Sequence, residues 1–264
     1  MTFKFTTRDM ETVTGEEARR LLAETNDRSF LVPGSGVVSV SRERWMIAQD
    51  AEAHGWMDIW RDVIDDRNGH HFALFDYLFM LKERRFKHGI ELGCGPFTNM
   101  RLVAHSLSIE HIHLLDPLMP RYVEHPHCTY RTGQLRLHDG RMVPITAAYA
   151  MPIEDLQPQV SYDIVVLINV IEHCMDINKI FSQIWDMLAP GGIFVFHDKY
   201  FDEAEVAATI LTEYDTAHPL KVGHKVIDDF LARFRLVFAR STQTSGRPIM
   251  TAPGDAIYFV GEKP

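Results

Sequence analysis

Two hydrophobic patterns divide the chain. Before about Lys87 the apolar residues recur at helical spacing. Trp45, Ala48, Gln49, Glu52, Trp56 and Trp60 line one face of a segment that starts at Ser41. Residues 70–86, HHFALFDYLFMLKERRF, are apolar enough to form a mostly buried helix. An earlier helix is expected over EEARRLLAET, where Thr14 and Glu17 have capping-box spacing, and PGSG at 33–36 then breaks the chain.

From His88 short apolar runs alternate with helical stretches, the signature of a parallel sheet with crossovers. Strands are expected at 89–92, 111–116, 145–149, 163–169 and 193–197, with two more at 235–240 and 256–261. The turn HDGR at 138–141 predicts a hairpin ahead of the third of these. The chain thus reads as an N-terminal helical extension, 1–87, followed by an α/β core, 88–264.

Composition narrows the function classes. The 264 residues are 46% hydrophobic and 24% charged, ordinary for a globular protein with a sizeable core. No apolar run has the length of a membrane span, and MTFKFTTRDMETV has no signal-peptide stretch. The net charge of −9 disfavours a protein whose main task is gripping nucleic acid. Cys94, Cys128 and Cys174 fit no disulfide framework, so a reducing cytoplasm is the expected compartment. Neither CxxC nor HExxH occurs, so a structural zinc or zinc-protease site has no support and no metal ligands are assigned, while a His-based metal site stays open.

The strongest chemical signal is GIELGCGPFTN, residues 89–99. A strand ends in an acid, two glycines let the backbone turn tightly beside a ligand, and Pro96 suits a helix start. Asp116 ends the next strand about 20 residues later, where a carboxylate would meet ribose hydroxyls. A dinucleotide fingerprint keeps a third glycine, and here that place is Phe97, which lowers the dehydrogenase reading. MPIEDL (151–156), YDIVVLINVIEH (162–173) and LAPGGIFVFHD (188–198) follow in order.

This succession resembles the class I S-adenosylmethionine-dependent methyltransferases, in the small-molecule branch, over residues from Gly89 onward. The resemblance implies a Rossmann-like three-layer sandwich around a mixed seven-stranded sheet whose last strand is antiparallel. It implies S-adenosylmethionine as cofactor. Glu91, Gly93, Cys94 and Gly95 would hold its methionyl part, Asp116 and Pro117 its ribose, and Ile153 and Glu154 its adenine. Asn169 would lie beside the sulfonium. Many relatives have an Asp-Ala pair where this chain has Pro152 and Ile153, so the usual adenine partner is missing.

Methyl transfer to a hydroxyl or ammonium group needs a base at the carboxyl ends of the strands. His173, His197 and His218 are the candidates, with Asp198 placed to orient His197, bind a cationic acceptor or cap the next segment. Trp45, Trp56 and Trp60 form either core packing or an aromatic wall around the acceptor. The expected partner is a small-molecule acceptor, such as a sugar or natural-product intermediate, without a membrane, and a homodimer stays open. Two other readings remain. One is a methyltransferase acting on RNA or protein, disfavoured by the absence of an Asn/Asp-Pro-Pro-Tyr/Phe motif after the fourth strand. The other is a cofactor-binding regulatory domain without turnover.

Overall fold

The computed structural model describes residues 6–7, 31–32, 34–62, 68–209, 213–243 and 255–264. The expected helix with Thr14 and Glu17, and Pro33 of the PGSG break, lie outside these residues. The strands are β1 (Thr6–Thr7), β2 (Leu31–Val32), β3 (Gly36–Val37), β4 (Arg85–Leu92), β5 (Ser108–Leu115), β6 (Gln134–Arg136), β7 (Met142–Ala150), β8 (Tyr162–Ile168), β9 (Leu188–Lys199), β10 (Lys221–Val222), β11 (Arg235–Gln243) and β12 (Asp255–Glu262). The α-helices are α1 (Arg42–His54), α2 (Asn68–Leu74), α3 (Met100–Ser106), α4 (Met119–Tyr122), α5 (Ile177–Met187), α6 (Glu203–Thr209), α7 (Glu213–Ala217) and α8 (His224–Leu231).

Side-chain alternation along β8 and β9 explains why both faces of the sheet are covered. Val165 and Leu167 on β8, with Phe194 and Phe196 on β9, pack on α5 and α8 through Ile180, Ile184 and Phe230. The intervening Ile164, Val166, Ile193 and Val195 face the other way, onto Leu102 and Val103 of α3. Among the described residues the main sheet runs β1-β7-β5-β4-β8-β9-β12-β11, with β6 paired to β7. The five strands from β7 to β9 are parallel, and β12 is antiparallel to both β9 and β11. All seven expected strands are present, the last of them antiparallel, and β1 adds an edge strand. The expected hairpin is β6–β7, paired from Gln134↔Pro144 to Arg136↔Met142.

Near the N-terminal end of the core the sequence reading needs one correction. The single helix expected over 70–86 is α2, then a 3-10 helix at Asp76–Leu81, then β4 from Arg85. Phe75, Leu78 and Leu81 recur every third residue and are the buried ones. Three residues per turn keeps them on one face, while Tyr77, Phe79 and Met80 stay exposed.

The helix expected from Ser41 forms as read. The Ser41 hydroxyl accepts the Arg44 amide, capping α1. Beyond His54 the helix widens into a π turn, Gly55–Ile59, closed by the bond from Trp60 N to Gly55 O.

Candidate functional site

At the carboxyl ends of the parallel strands lies a cavity of about 660 Å³. Its floor begins with the glycine turn after β4. Gly93 and Gly95 have φ of 73° and 53°, and the amides of Gly93 and Cys94 both donate to Leu115 O of β5. A Cβ at Gly93 would stand 2.5 Å from a methyl of Val170, so glycine is required there on two counts.

Cys94, Pro117, Ile153, Glu154 and Asn169 all line the cavity beside Gly93, Gly95 and Asp116. Asp116 is buried; one carboxylate oxygen accepts Gly95 N at 2.9 Å and the other Leu118 N at 2.8 Å. Each oxygen keeps a second lone pair for a hydroxyl. Burial lifts this carboxyl to about 6 despite those two amides. Asn169, at the tip of β8, has φ of 59°, alone among the described residues other than glycine. Its amide donates to His197 O at 2.8 Å. Asparagine tolerates this left-handed backbone better than most side chains.

Two acids have other duties than the sequence suggested. Glu91 is fully buried behind the turn and does not line the cavity. It accepts the Thr98 hydroxyl and the amides of Asn99 and Met100, at 2.8 and 2.9 Å, and so fixes the start of α3. It therefore reaches the cavity only through the loop that it braces. Burial pushes its carboxyl to about 7, against these three donors. One oxygen of Glu154 accepts the amides of Met175 and Asp176 before α5, so that oxygen is engaged within the protein. Phe97, in the place of the third glycine, packs edge-on against Trp56 with ring centroids 5.5 Å apart.

The three candidate histidines separate. His197 is buried in the sheet, stacked on Tyr258 at 3.9 Å, with Nδ1 bonded to Ile257 O at 3.0 Å. It does not line the cavity. The alternation that points its carbonyl toward Asn169 sends its ring elsewhere, so position at a strand end misled the reading. Asp198 does not orient it. Instead one Asp198 oxygen accepts the amides of Val170 and Ile171, and the other that of Lys199.

His173 and His218 do meet at the cavity, with ring centroids 4.6 Å apart. His173 donates from Nδ1 to Ala217 O at 3.0 Å, and His218 from Nδ1 to Tyr214 O at 2.7 Å. Burial works against charge on His173, but the Glu52 and Glu172 carboxylates prevail and raise its pKa. For His218 burial prevails and lowers it, although Glu172 acts the other way. The Glu172 carboxyl is buried too, yet both histidines and the Tyr214 hydroxyl at 2.6 Å draw it down to about 2.

Sequence reasoning missed several residues here. Trp45 Nε1 and Gln49 Nε2 of α1 each donate to His173 O at 3.0 Å. The aromatic stripe is therefore packed and pocket-forming at once: Trp45 and Trp56 are buried, Trp60 is half-exposed, and all three line the cavity. Glu52 sits on the same helix face, and its carboxylate accepts Trp56 Nε1 at 2.7 Å. Lys199 borders the cavity from β9 with its Nζ 4.0 Å from the Phe201 ring centroid. Glu52 and Gln49 read only as part of a helical stripe, and Tyr214 only as the start of a candidate substrate loop over 214–224; nothing in spacing marked Lys199.

Residues 90–194 match the family described as a methyltransferase domain. The chain carries a methyltransferase domain. Three solved structures share the fold. The N-methyltransferase NodS of Bradyrhizobium japonicum WM9, in complex with S-adenosyl-L-homocysteine, shares 18% identity at a TM-score of 0.57, covering 83% of this chain and 98% of its own. A putative sarcosine dimethylglycine methyltransferase of Galdieria sulphuraria shares 13% at 0.53, with coverage of 75% and 85%. A putative methyltransferase of Bacillus halodurans shares 14% at 0.53, with coverage of 73% and 98%. None of the curated proteins matches the chain in sequence. The methyltransferase domain has S-adenosylmethionine as its cofactor, and the donor set fits that molecule. Backbone amides turn beside an acid, Asp116, and the apolar Ile153 stands across the cavity wall.

Proposed function

We propose that this methyltransferase acts on oxygen or nitrogen of a small metabolite, such as a sugar or natural-product intermediate. The supporting observation is the cavity itself. At about 660 Å³ it falls within the roughly 300–1,000 Å³ of small-molecule sites. Its roof, from α1 and the 214–218 stretch, is tied to the same loop that carries Glu172 and His173. A polymer strand would need an open, basic groove, whereas Glu52, Asp116 and Glu172 line this one.

Bound cofactor supplies a methyl group on positively charged sulfur, and that carries the hard part of the chemistry. The protein's share is orientation and water exclusion. Asp116 fixes the ribose and the glycine turn the methionyl end, Asn169 closes the floor, and Trp45, Trp56 and Trp60 line the roof. His173 and His218 stand where an acceptor proton could be taken.

The test is transfer of isotopic methyl from labelled cofactor into a fractionated cell extract, read by mass spectrometry of the product. Label in a metabolite supports the reading. Label only in RNA or protein overturns the small-molecule assignment, and no label in any fraction, with S-adenosylhomocysteine bound in calorimetry, points to a regulatory domain.

A further inference from the structure

Glu172, His173 and His218 each place one potential ligand atom within 4.8 Å of the others, the one such group among the described residues. We infer that these three side chains form a divalent transition-metal site inside the methyl-transfer cavity.

The outer partners of the three residues argue for it. Metal-binding imidazoles use one nitrogen and donate the other N–H to a fixed acceptor, which sets tautomer and ring direction. Both histidines follow that rule. His173 Nδ1 donates to Ala217 O at 3.0 Å and His218 Nδ1 to Tyr214 O at 2.7 Å, which leaves both Nε2 lone pairs free. Glu172 follows it as well: the Tyr214 hydroxyl holds Oε2 at 2.6 Å, and Oε1 lies 3.8 Å from His218 Nε2. Ligand atoms on one ion at about 2.0–2.2 Å bond length stand roughly 3–3.5 Å apart. Small side-chain rotations bring the present triangle to that size. The scaffold beneath is stiff, since Asp198 pins the Val170–Ile171 backbone and Trp45 and Gln49 pin His173 O.

Charge agrees with a cation. Glu172, Glu52 and Asp198 act on the group, against the Lys199 ammonium and that of Lys221, which is itself paired with Asp215. Two imidazoles and one carboxylate suit zinc, manganese, iron(II) or cobalt(II) rather than calcium or magnesium. Three protein ligands leave coordination positions open, as catalytic sites require, and all three residues face the cavity. Such an ion would occupy the Nε2 atoms of both histidines, so an acceptor hydroxyl bound to it would be activated by the lowered pKa rather than by a free histidine base. The site's existence is independent of the function proposed above; its use on an oxygen acceptor rests on that reading.

The experiment titrates chelator-stripped full-length protein with cobalt(II) chloride, followed by visible absorption and calorimetry. Wild type should take one equivalent, with ligand-field bands of an N/O site. His218→Ala and Glu172→Gln should each weaken uptake at least tenfold, and His105→Ala should not. S-adenosylhomocysteine binding is measured on every sample as a separate check of fold and cofactor site. Wild type that binds S-adenosylhomocysteine but takes up neither cobalt nor zinc overturns the inference, as does unchanged uptake in both variants. Metal uptake without S-adenosylhomocysteine binding supports the metal site and instead sinks the functional reading.

Discussion

Asp198 suspends Ile171: the carboxylate at the end of β9 accepts the amides of Val170 and Ile171, each at 3.0 Å, from the loop after β8. The loop bearing Glu172 and His173 is thus hung from a neighbouring strand as well as closed by its own turn, in which His173 N donates to Val170 O at 2.9 Å. Asp198→Ala would strand three buried amides, counting that of Lys199. Each such loss costs about 1–3 kcal/mol before relaxation. We expect a net loss of at least about 2 kcal/mol, or roughly 4–8 °C in Tm, measured by thermal unfolding. An unchanged Tm would show that the loop supports itself.

Asp116 should govern cofactor affinity. Asp116→Ala removes both the ribose acceptor and the brace on Gly95 N. Binding of S-adenosylhomocysteine should weaken by about 1.5–3 kcal/mol, roughly tenfold to 150-fold. Calorimetry giving an unaltered Kd would take Asp116 out of the site.

The two glycines of the turn should respond differently to alanine. Both pay the left-handed backbone cost of about 1–2 kcal/mol. Only Gly93→Ala also drives a methyl against Val170, since nothing lies within 4 Å of a Cβ at Gly95. Denaturant unfolding should therefore rank Gly93→Ala as the more damaging by about 1–3 kcal/mol. Equal losses would contradict the close approach of the two loops.

Glu91 predicts a pH signature. Burial raises its folded pKa from 4.5 to about 7. Its contribution is then complete below pH 4.5 and lost as pH rises through about 7. Relative to Glu91→Gln, wild type should lose on the order of 3 kcal/mol between pH 4.5 and 8, measured by urea unfolding of both proteins. A parallel pair of stability curves would mean that the carboxyl titrates normally.

Much of the sheet was legible because buried parallel strands are written as short apolar runs: Ile164 to Ile168 can be little else. The glycine turn and Asp116 were legible because backbone geometry and strand-end chemistry restrict residue type. The histidines were not. His197 ends a strand and His173 follows one, yet the alternation along β9 turns the His197 ring away, and of the two only His173 lines the cavity. His218 reaches the site through a connection whose course no local pattern dictates. Glu91 looked like a ligand grip because an acid at a strand tip has the same sequence signature whether it faces a ligand or the next helix. The break in the 70–86 helix was hidden because Phe75, Leu78 and Leu81 fit a tighter helix and an α-helix nearly equally well over so short a span.

Trp45 and Gln49 share a single acceptor, the carbonyl of His173. A fragment trimmed to the recognisable domain at 90–194, or even to everything after β4, would lose both of these donors and with them one whole wall of the reaction chamber. We therefore expect a fragment that begins after α1 to lose methyl transfer, and an exchange of that leading segment between relatives to change acceptor preference while leaving cofactor choice alone.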